Sequence, residues 1–266
     1  MGHPGSQCWW WLSDRCHLVC RHAQQEAGIT YFYFRPRNMS TSGGWYAQQA
    51  KANPDLFRVV FDFNHRPQFW VHPSVVEGLP EATVVKALAE ATHGTTHLAR
   101  WLSRTLELDA HEPEWDFEDT RRRLNLLAPE TLAKIARFAA AALSWPRIAS
   151  VIGKVQMQEI KSSFGEDAHS FALRRARFIV PETDAVLPES DKPLYDNAIE
   201  LGWNLLTSAA CDEADSIQKR FMLKLPPAIA KKTLRRVPQD IRERAWNRIR
   251  KISTEVLTEG ETKCFA

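Results

Sequence analysis

From residue 79 onward, apolar side chains recur at intervals of three and four, a periodicity that predicts helices almost throughout. Pro80 suits a first helical turn, and Val84, Leu88 and Ala91 then fall on one face. Gly94 reads as the end of that helix, with Thr95 and Thr96 capping a next one in which Leu98, Leu102 and Leu106 align. Pro113 interrupts the pattern, and residues 115–127 read as a further helix with Arg121, Arg122 and Arg123 exposed. The clearest helix starts at Pro129 and carries Leu132, Ile135, Phe138 or Ala139, and Leu143. Its run from Ala139 to Ala142 has high helix propensity and allows a neighbouring helix to approach closely. Trp145-Pro146 is a boundary, followed by a short apolar turn of Ile148, Val151 and Ile152 that Gly153 ends. Another helix starts at Gly165 or Glu166, carries Phe171, Ala172 and Ala176, and stops near Pro181.

Residues 181–193 hold three prolines and four acidic residues, which predicts an exposed linker. Residues 194–210 are helical again, with Ala198, Leu201, Leu205 and Ala209 on one stripe. After Pro226-Pro227 and Pro238 comes a last helix reaching about residue 257. Its Ile241, Ala245, Ile249, Ile252 and Val256 form a narrow seam for packing on one neighbour.

The start of the chain has a different texture. In residues 56–63, Phe57, Val59, Phe61 and Phe63 alternate with more polar neighbours, so this stretch reads as a short strand or an extended run lying over helices. His65-Arg66-Pro67 and His72-Pro73 then break the chain. Residues 1–54 mix His, Cys, Trp and Gly without periodicity, and Met39-Ser-Thr-Ser-Gly-Gly has the composition of a free N-terminus. The expectation is a native start at Met39. The predicted organisation is a poorly structured leader (1–54), a helical core domain (55–228) and a basic C-terminal helical segment (229–266). The fold class is all-α, an irregular multi-helix domain with at most one short N-terminal strand, and no fixed-period repeat points to a solenoid.

Composition changes this picture little. With 44% apolar and 25% charged residues in 266, the chain is an ordinary globular one, and its formal charge of +3 demands no anionic partner. Ten tryptophans favour broad contact surfaces. No run of about eighteen apolar residues exists to cross a membrane, and the apolar stretch Cys8 to Leu12 is too short for a signal-peptide core. Without an export signal the five cysteines read as reduced thiols, and the expected location is cytoplasmic.

Candidate chemistry is sparse. Cys16, Cys20 and His22, with His17 or Cys8, match no paired zinc-ligand spacing, and Gly94 separates His93 from His97. There is no phosphate-cradling glycine loop, nucleophile elbow or His-Glu-x-x-His helix, so no cofactor, metal or catalysis is expected. Two segments look suited to partners. Glu112, Glu114, Asp116, Glu118 and Asp119 surround Trp115 and Phe117, either as a solvated helix start or as a rim around an aromatic protein contact. The basic segment, whose arginines spread nearly around its helix, reads as a solvated face on which Arg244, Arg248 and Lys251 are candidate contacts for an acidic partner; the alternative is a nucleic-acid-binding helix.

Three ordered blocks resemble the SctK/YscK proteins of bacterial type III secretion systems. They are Phe61-Asp-Phe-Asn-His-Arg-Pro-Gln-Phe-Trp-Val-His-Pro73 with Leu79-Pro80; residues 124–180 with Leu-Leu-Ala-Pro-Glu-Thr-Leu, Gly165-Glu-Asp-Ala and Phe171-Ala-Leu-Arg-Arg-Ala; and Gly202-Trp203 with Lys219-Arg-Phe-Met-Leu-Lys-Leu-Pro226. The Phe171 block is similar to the rhizobial, NolU-like branch. The resemblance implies a non-catalytic adaptor of the sorting platform, bridging the cytoplasmic domain of the inner-membrane ring protein (SctD) to the pod protein (SctQ). It also implies peripheral association with the inner membrane through the apparatus, and no small-molecule substrate.

Overall fold

The computed structural model describes residues 50, 51, 53–91, 94–185, 194–210, 213–233 and 236–262. The chain divides into two compact units, Met1–Asn53 and Pro54–Ala266. The Met39 start and the Cys16, Cys20 and His22 cluster lie outside the described residues, as does most of the 181–193 linker. Every regular element among the described residues is helical, as the apolar periodicity predicts.

Helix α1 (Pro54–His65) occupies the stretch read above as a strand, and that expectation is corrected. The alternation of Phe57, Val59, Phe61 and Phe63 hid a second pattern, because Leu56, Val60, Phe63 and Asn64 are the buried residues, at spacings of four, three and one. Pro54 in the first turn and Asp55 beside it favour a helix start. A lone strand would also leave its backbone groups without partners, whereas a helix satisfies them internally. A 3₁₀ turn (Pro67–Phe69), α2 (Pro73–Glu77), α3 (Ala82–Glu90) and α4 (Gly94–Thr105) follow. Gly94 opens α4 rather than closing α3. In α3 it is Val85 that is buried, while Val84 is half exposed. Val85 packs with Leu98 and Leu102 of α4 in a small satellite core.

The expected helix over 115–127 shrinks to a 3₁₀ turn, Arg122–Leu126. Its carboxylates explain the loss, since they capture nearby backbone N–H groups that a helix would need. Glu114 Oε1 accepts from the N–H of Trp115 and Asp116 (3.2 and 3.1 Å), and Asp119 Oδ1 accepts from the N–H of Arg121 (2.8 Å). Arg123, expected outside, is buried with its Nε donating to the Phe117 carbonyl at 2.8 Å.

The main core is built on α5 (Pro129–Leu143), which α6 (Trp145–Ser150) and α7 (Lys154–Phe164) follow. Ile152 stands almost entirely in solvent, so the expected apolar turn buries Ile148 alone completely. Next come α8 (Glu166–Phe171), a π-helical stretch (Ala172–Ala176) and α9 (Arg177–Ile179). The remaining helices are α10 (Leu194–Ala210), α11 (Asp215–Met222), α12 (Pro227–Ala230), α13 (Gln239–Val256) and α14 (Glu259–Thr262). The dominant packing is α10 on α5, then α13 on α10. Ala245, Trp246, Ile249 and Ile252 of α13 join the same core as Leu132, Ile135 and Phe138 of α5.

Two glycines set distances. A Cβ on Gly202 would sit 2.1 Å from the Ala136 carbonyl oxygen and 2.8 Å from the Ala140 nitrogen, so α10 lies directly on the α5 backbone there. Gly165 has φ +88° between α7 and α8, and Arg137 spans it, donating to the Phe164 carbonyl (2.7 Å) and to both Asp167 carboxylate oxygens (3.0 and 2.8 Å). Substituting Gly202→Ala forces the two helices apart. It is expected to destabilise the fold by about 1–3 kcal/mol, as overpacking of a close-packed contact does. Urea unfolding followed by circular dichroism reads this directly, and an unchanged midpoint would contradict the close crossing.

Candidate partner-binding surfaces

The first surface is assembled by α1 and the loop that Asn64 holds against it. Asn64 donates from Nδ2 to the Glu114 carbonyl (2.7 Å), and the Glu114 N–H donates back to Asn64 Oδ1 (2.9 Å). This reciprocal pair places Trp115 beside His65, with ring centroids 5.5 Å apart, while His65 packs tilted against Phe61 at 4.9 Å. Arg66 completes the row, its guanidinium 5.3 Å from the Phe61 centroid and 5.9 Å from that of Phe69. Phe69 is 58% and Phe61 36% exposed, so this is a surface ridge of aromatic faces and not a core seam.

Burial, and then the charges of Arg220 and Arg66, hold the His65 pKa below its ordinary value. The imidazole therefore stacks as a neutral ring at neutral pH.

Beside the ridge runs the acidic loop. Asp116 lies 3.0 Å from Arg122, which also pairs with Glu213 at 2.9 Å. Burial raises the Glu213 pKa despite that neighbour, whereas Glu112, Glu118 and Asp119 are exposed. Trp115 is thus half-buried at the ridge, but Phe117 is fully buried, edge-on to Phe63 with centroids 5.6 Å apart. Phe117 supports the surface from beneath and presents nothing to a partner. An extended reading of residues 56–63 hides the row that Phe61 and His65 form; on a helix they are four apart and share a face.

Two buried cations fasten this region to the bundle. Lys224 Nζ donates to the carbonyls of Asn125 (2.7 Å) and Leu127 (2.9 Å), and lies 4.9 Å from the Phe63 ring centroid and 5.5 Å from that of Trp70. Arg220, equally buried, places its guanidinium 5.8 Å from the Phe63 ring centroid.

The second surface is on α13. Arg244, Arg248 and Lys251 are spaced by four and three, which puts all three on one flank of the helix, away from the core-facing Ala245 and Ile249. Arg244 is exposed and pairs with Asp240 at 2.8 Å, Arg248 pairs with Asp184, and Lys251 is exposed. Glu255 on the same flank reaches Arg175 of the π stretch at 3.6 Å. The structure brings these three predicted residues together, and Trp115 lies apart from them. Among the described residues no group of three His, Cys, Asp or Glu side chains stands close enough to hold a metal; His93 lies outside the described residues.

The geometry defines an all-α body that carries an aromatic, acid-fringed surface and a basic one. The family model described as "YOP proteins translocation protein K (YscK)" matches residues 59–266, and the chain belongs to that family. It is accordingly a protein of type III secretion translocation. No curated protein and no solved structure shows significant similarity to it. No described helix is long and apolar enough to cross a membrane.

The lowered His65 pKa has a consequence for stability. The folded state resists protonation that the unfolded chain accepts near pH 6.5, so the His65 contribution is complete above that value. It is lost as the pH falls from there through the lowered folded value. His169, whose pKa burial and Lys161 also lower, acts in the same direction. The urea midpoint is expected to drop on going from neutral pH to about pH 5, and to drop less in His65→Gln. Equal drops in the two proteins would remove His65 from the account.

Proposed function

We propose that this protein is a non-catalytic adaptor of the type III secretion sorting platform, bridging the cytoplasmic domain of the SctD-type ring protein to the SctQ-type pod protein. It works in the cytoplasm and is held at the inner membrane only through the apparatus. The observation that carries this reading is the pairing of two chemically different surfaces on one helical core. One is the Phe61–His65–Trp115 ridge with its acidic fringe, and the other is the basic flank of Arg244, Arg248 and Lys251. Exposed aromatic faces supply desolvation energy to an interface, while charged flanks select the partner and speed its approach. Membership of the YscK family supports the same reading.

The purified chain is expected to bind the SctD cytoplasmic domain and SctQ of the same genome separately, and to hold both in one complex during size-exclusion chromatography. Trp115→Ala weakens one of the two contacts by roughly tenfold or more, as loss of an interface aromatic does, and spares the other. Absence of binding to both proteins would overturn the adaptor reading.

A further inference from the structure

Between α8 and α9 the helix widens into the π turn at Ala172–Ala176, and the sequence gives the reason. The buried residues Ala168, Ala172, Ala176 and Val180 recur every fourth position. On an ideal helix of 3.6 residues per turn, each such step drifts about 40° around the axis. The wider turn cancels part of that drift and keeps the column of small side chains on the core. The outer side inherits the same spacing of four. Leu173 falls in column with Arg177, and Arg174 with Phe178, giving a two-by-two patch in which apolar and cationic side chains alternate.

All four residues are exposed, Phe178 at 67% and Leu173 at 43%, and the Arg177 guanidinium lies 4.7 Å from the Phe178 ring centroid. Neither Arg174 nor Arg177 meets a carboxylate among the described residues. Their neighbour Arg175 reaches Glu255 of α13.

We propose that this π-turn patch is a docking site for an acidic segment of a protein partner that inserts an apolar side chain beside Phe178. Charge complementarity identifies the occupant. The two guanidiniums, which meet no carboxylate among the described residues, call for an anion, and the alternating Leu173 and Phe178 call for an apolar anchor between the charges. The surroundings separate a carboxylate-bearing peptide from other anions. Asp184 and Glu255 pair with Arg248 and Arg175, so carboxylates already answer arginines next to the patch. Those same acids repel the continuous negative charge of a phosphate polymer or an anionic bilayer, which would have to cover them. This site is separate from the aromatic ridge, and it stands whether or not the partner is SctD or SctQ.

The test uses the full-length chain expressed in its own cells with Phe178 replaced by photoreactive p-benzoylphenylalanine. Irradiation is expected to give a discrete protein adduct, and mass spectrometry of the crosslinked peptide is expected to find an Asp/Glu-rich segment containing a large apolar residue. Introducing Arg174→Glu and Arg177→Glu together should lower adduct yield by roughly tenfold or more, because reversed rim charges repel the same segment. Arg174→Lys with Arg177→Lys should keep most of it, and matching circular dichroism of the variants verifies their fold. No adduct, an adduct with lipid or nucleic acid, a crosslinked segment without acidic residues, or a yield indifferent to charge reversal would each overturn the proposal. A charge-dependent acidic adduct from a protein other than SctD or SctQ would sustain this site, while the bridging assignment stands or falls on its own binding test.

Discussion

The crossing of α10 over α5 at Gly202 is the constraint on which the rest of the structure depends. With no Cβ at that point, the α10 backbone rests on the Ala136 carbonyl and Ala140, and the alanines along α5 keep the whole contact shallow. Helices this close gain dispersion along their length, but any added methyl has nowhere to go. The other long elements take their positions from this pair. Helix α13 lies on α10 through Ala245, Trp246, Ile249 and Ile252, and the π stretch lies on α5 through Ala172 and Ala176. Small residues therefore recur wherever two helices meet on α5, and the bulky side chains Trp203, Phe138 and Trp246 fill the space around those crossings.

The N-terminal helices are attached by a different physics. Lys224 has lost nearly all its water, and its ammonium is compensated by two backbone carbonyls and by the faces of Phe63 and Trp70. The His72 N–H donates to the Leu223 carbonyl one residue away, at 2.9 Å, so the same turn also holds the chain beyond Trp70. Removing one side of such an arrangement leaves buried polar atoms unanswered, which costs of order 3 kcal/mol. Fixing Phe63 and Trp70 fixes α1, and α1 presents Phe61 and His65. The aromatic ridge is thus held from beneath by a buried cation, although none of its own rings belongs to the main core.

How much of this was legible follows from what each residue has to satisfy. Helix α5 announced itself through Pro129 in its first turn and the spacing of Leu132, Ile135, Ala139 and Leu143 by three, four and four, since one strong face packs the same way in almost any context. Helices α10 and α13 were equally plain. The stretch at 56–63 was not, because its apolar residues fit both a period of two and a period near 3.6, and only the absence of a pairing strand decides between them. The acidic run at 112–119 misled in the opposite direction. By sequence its carboxylates suit either a solvated helix start or the rim of an aromatic contact, whereas Glu114 and Asp119 hydrogen-bond their own following N–H groups and hold the loop open. That competition is local and was in principle readable; the pairing of Asn64 with Glu114, fifty positions apart, was not. The meaning of Gly202 was hidden for the same reason, as it depends on which backbone lies opposite.

Charged pairs and exposed rings contribute differently to these surfaces. Exposed pairs such as Arg175–Glu255 and Arg244–Asp240 contribute only about 0–1 kcal/mol each, because water competes for both ends. A carboxylate from another protein can replace Glu255 or Asp240 at little cost, so these pairs keep the guanidiniums extended and ready without committing them. Anchoring must come from apolar area, and burying a phenylalanine such as Phe178 or Phe69 contributes on the order of 2 kcal/mol. Strength and selectivity are therefore supplied by different side chains at the same patch. A change in ionic strength weakens the selective part and leaves the apolar part in place. Both parts act only if the surfaces are carried by a body that does not deform. The glycine-tight crossing of α5 and α10 provides such a body.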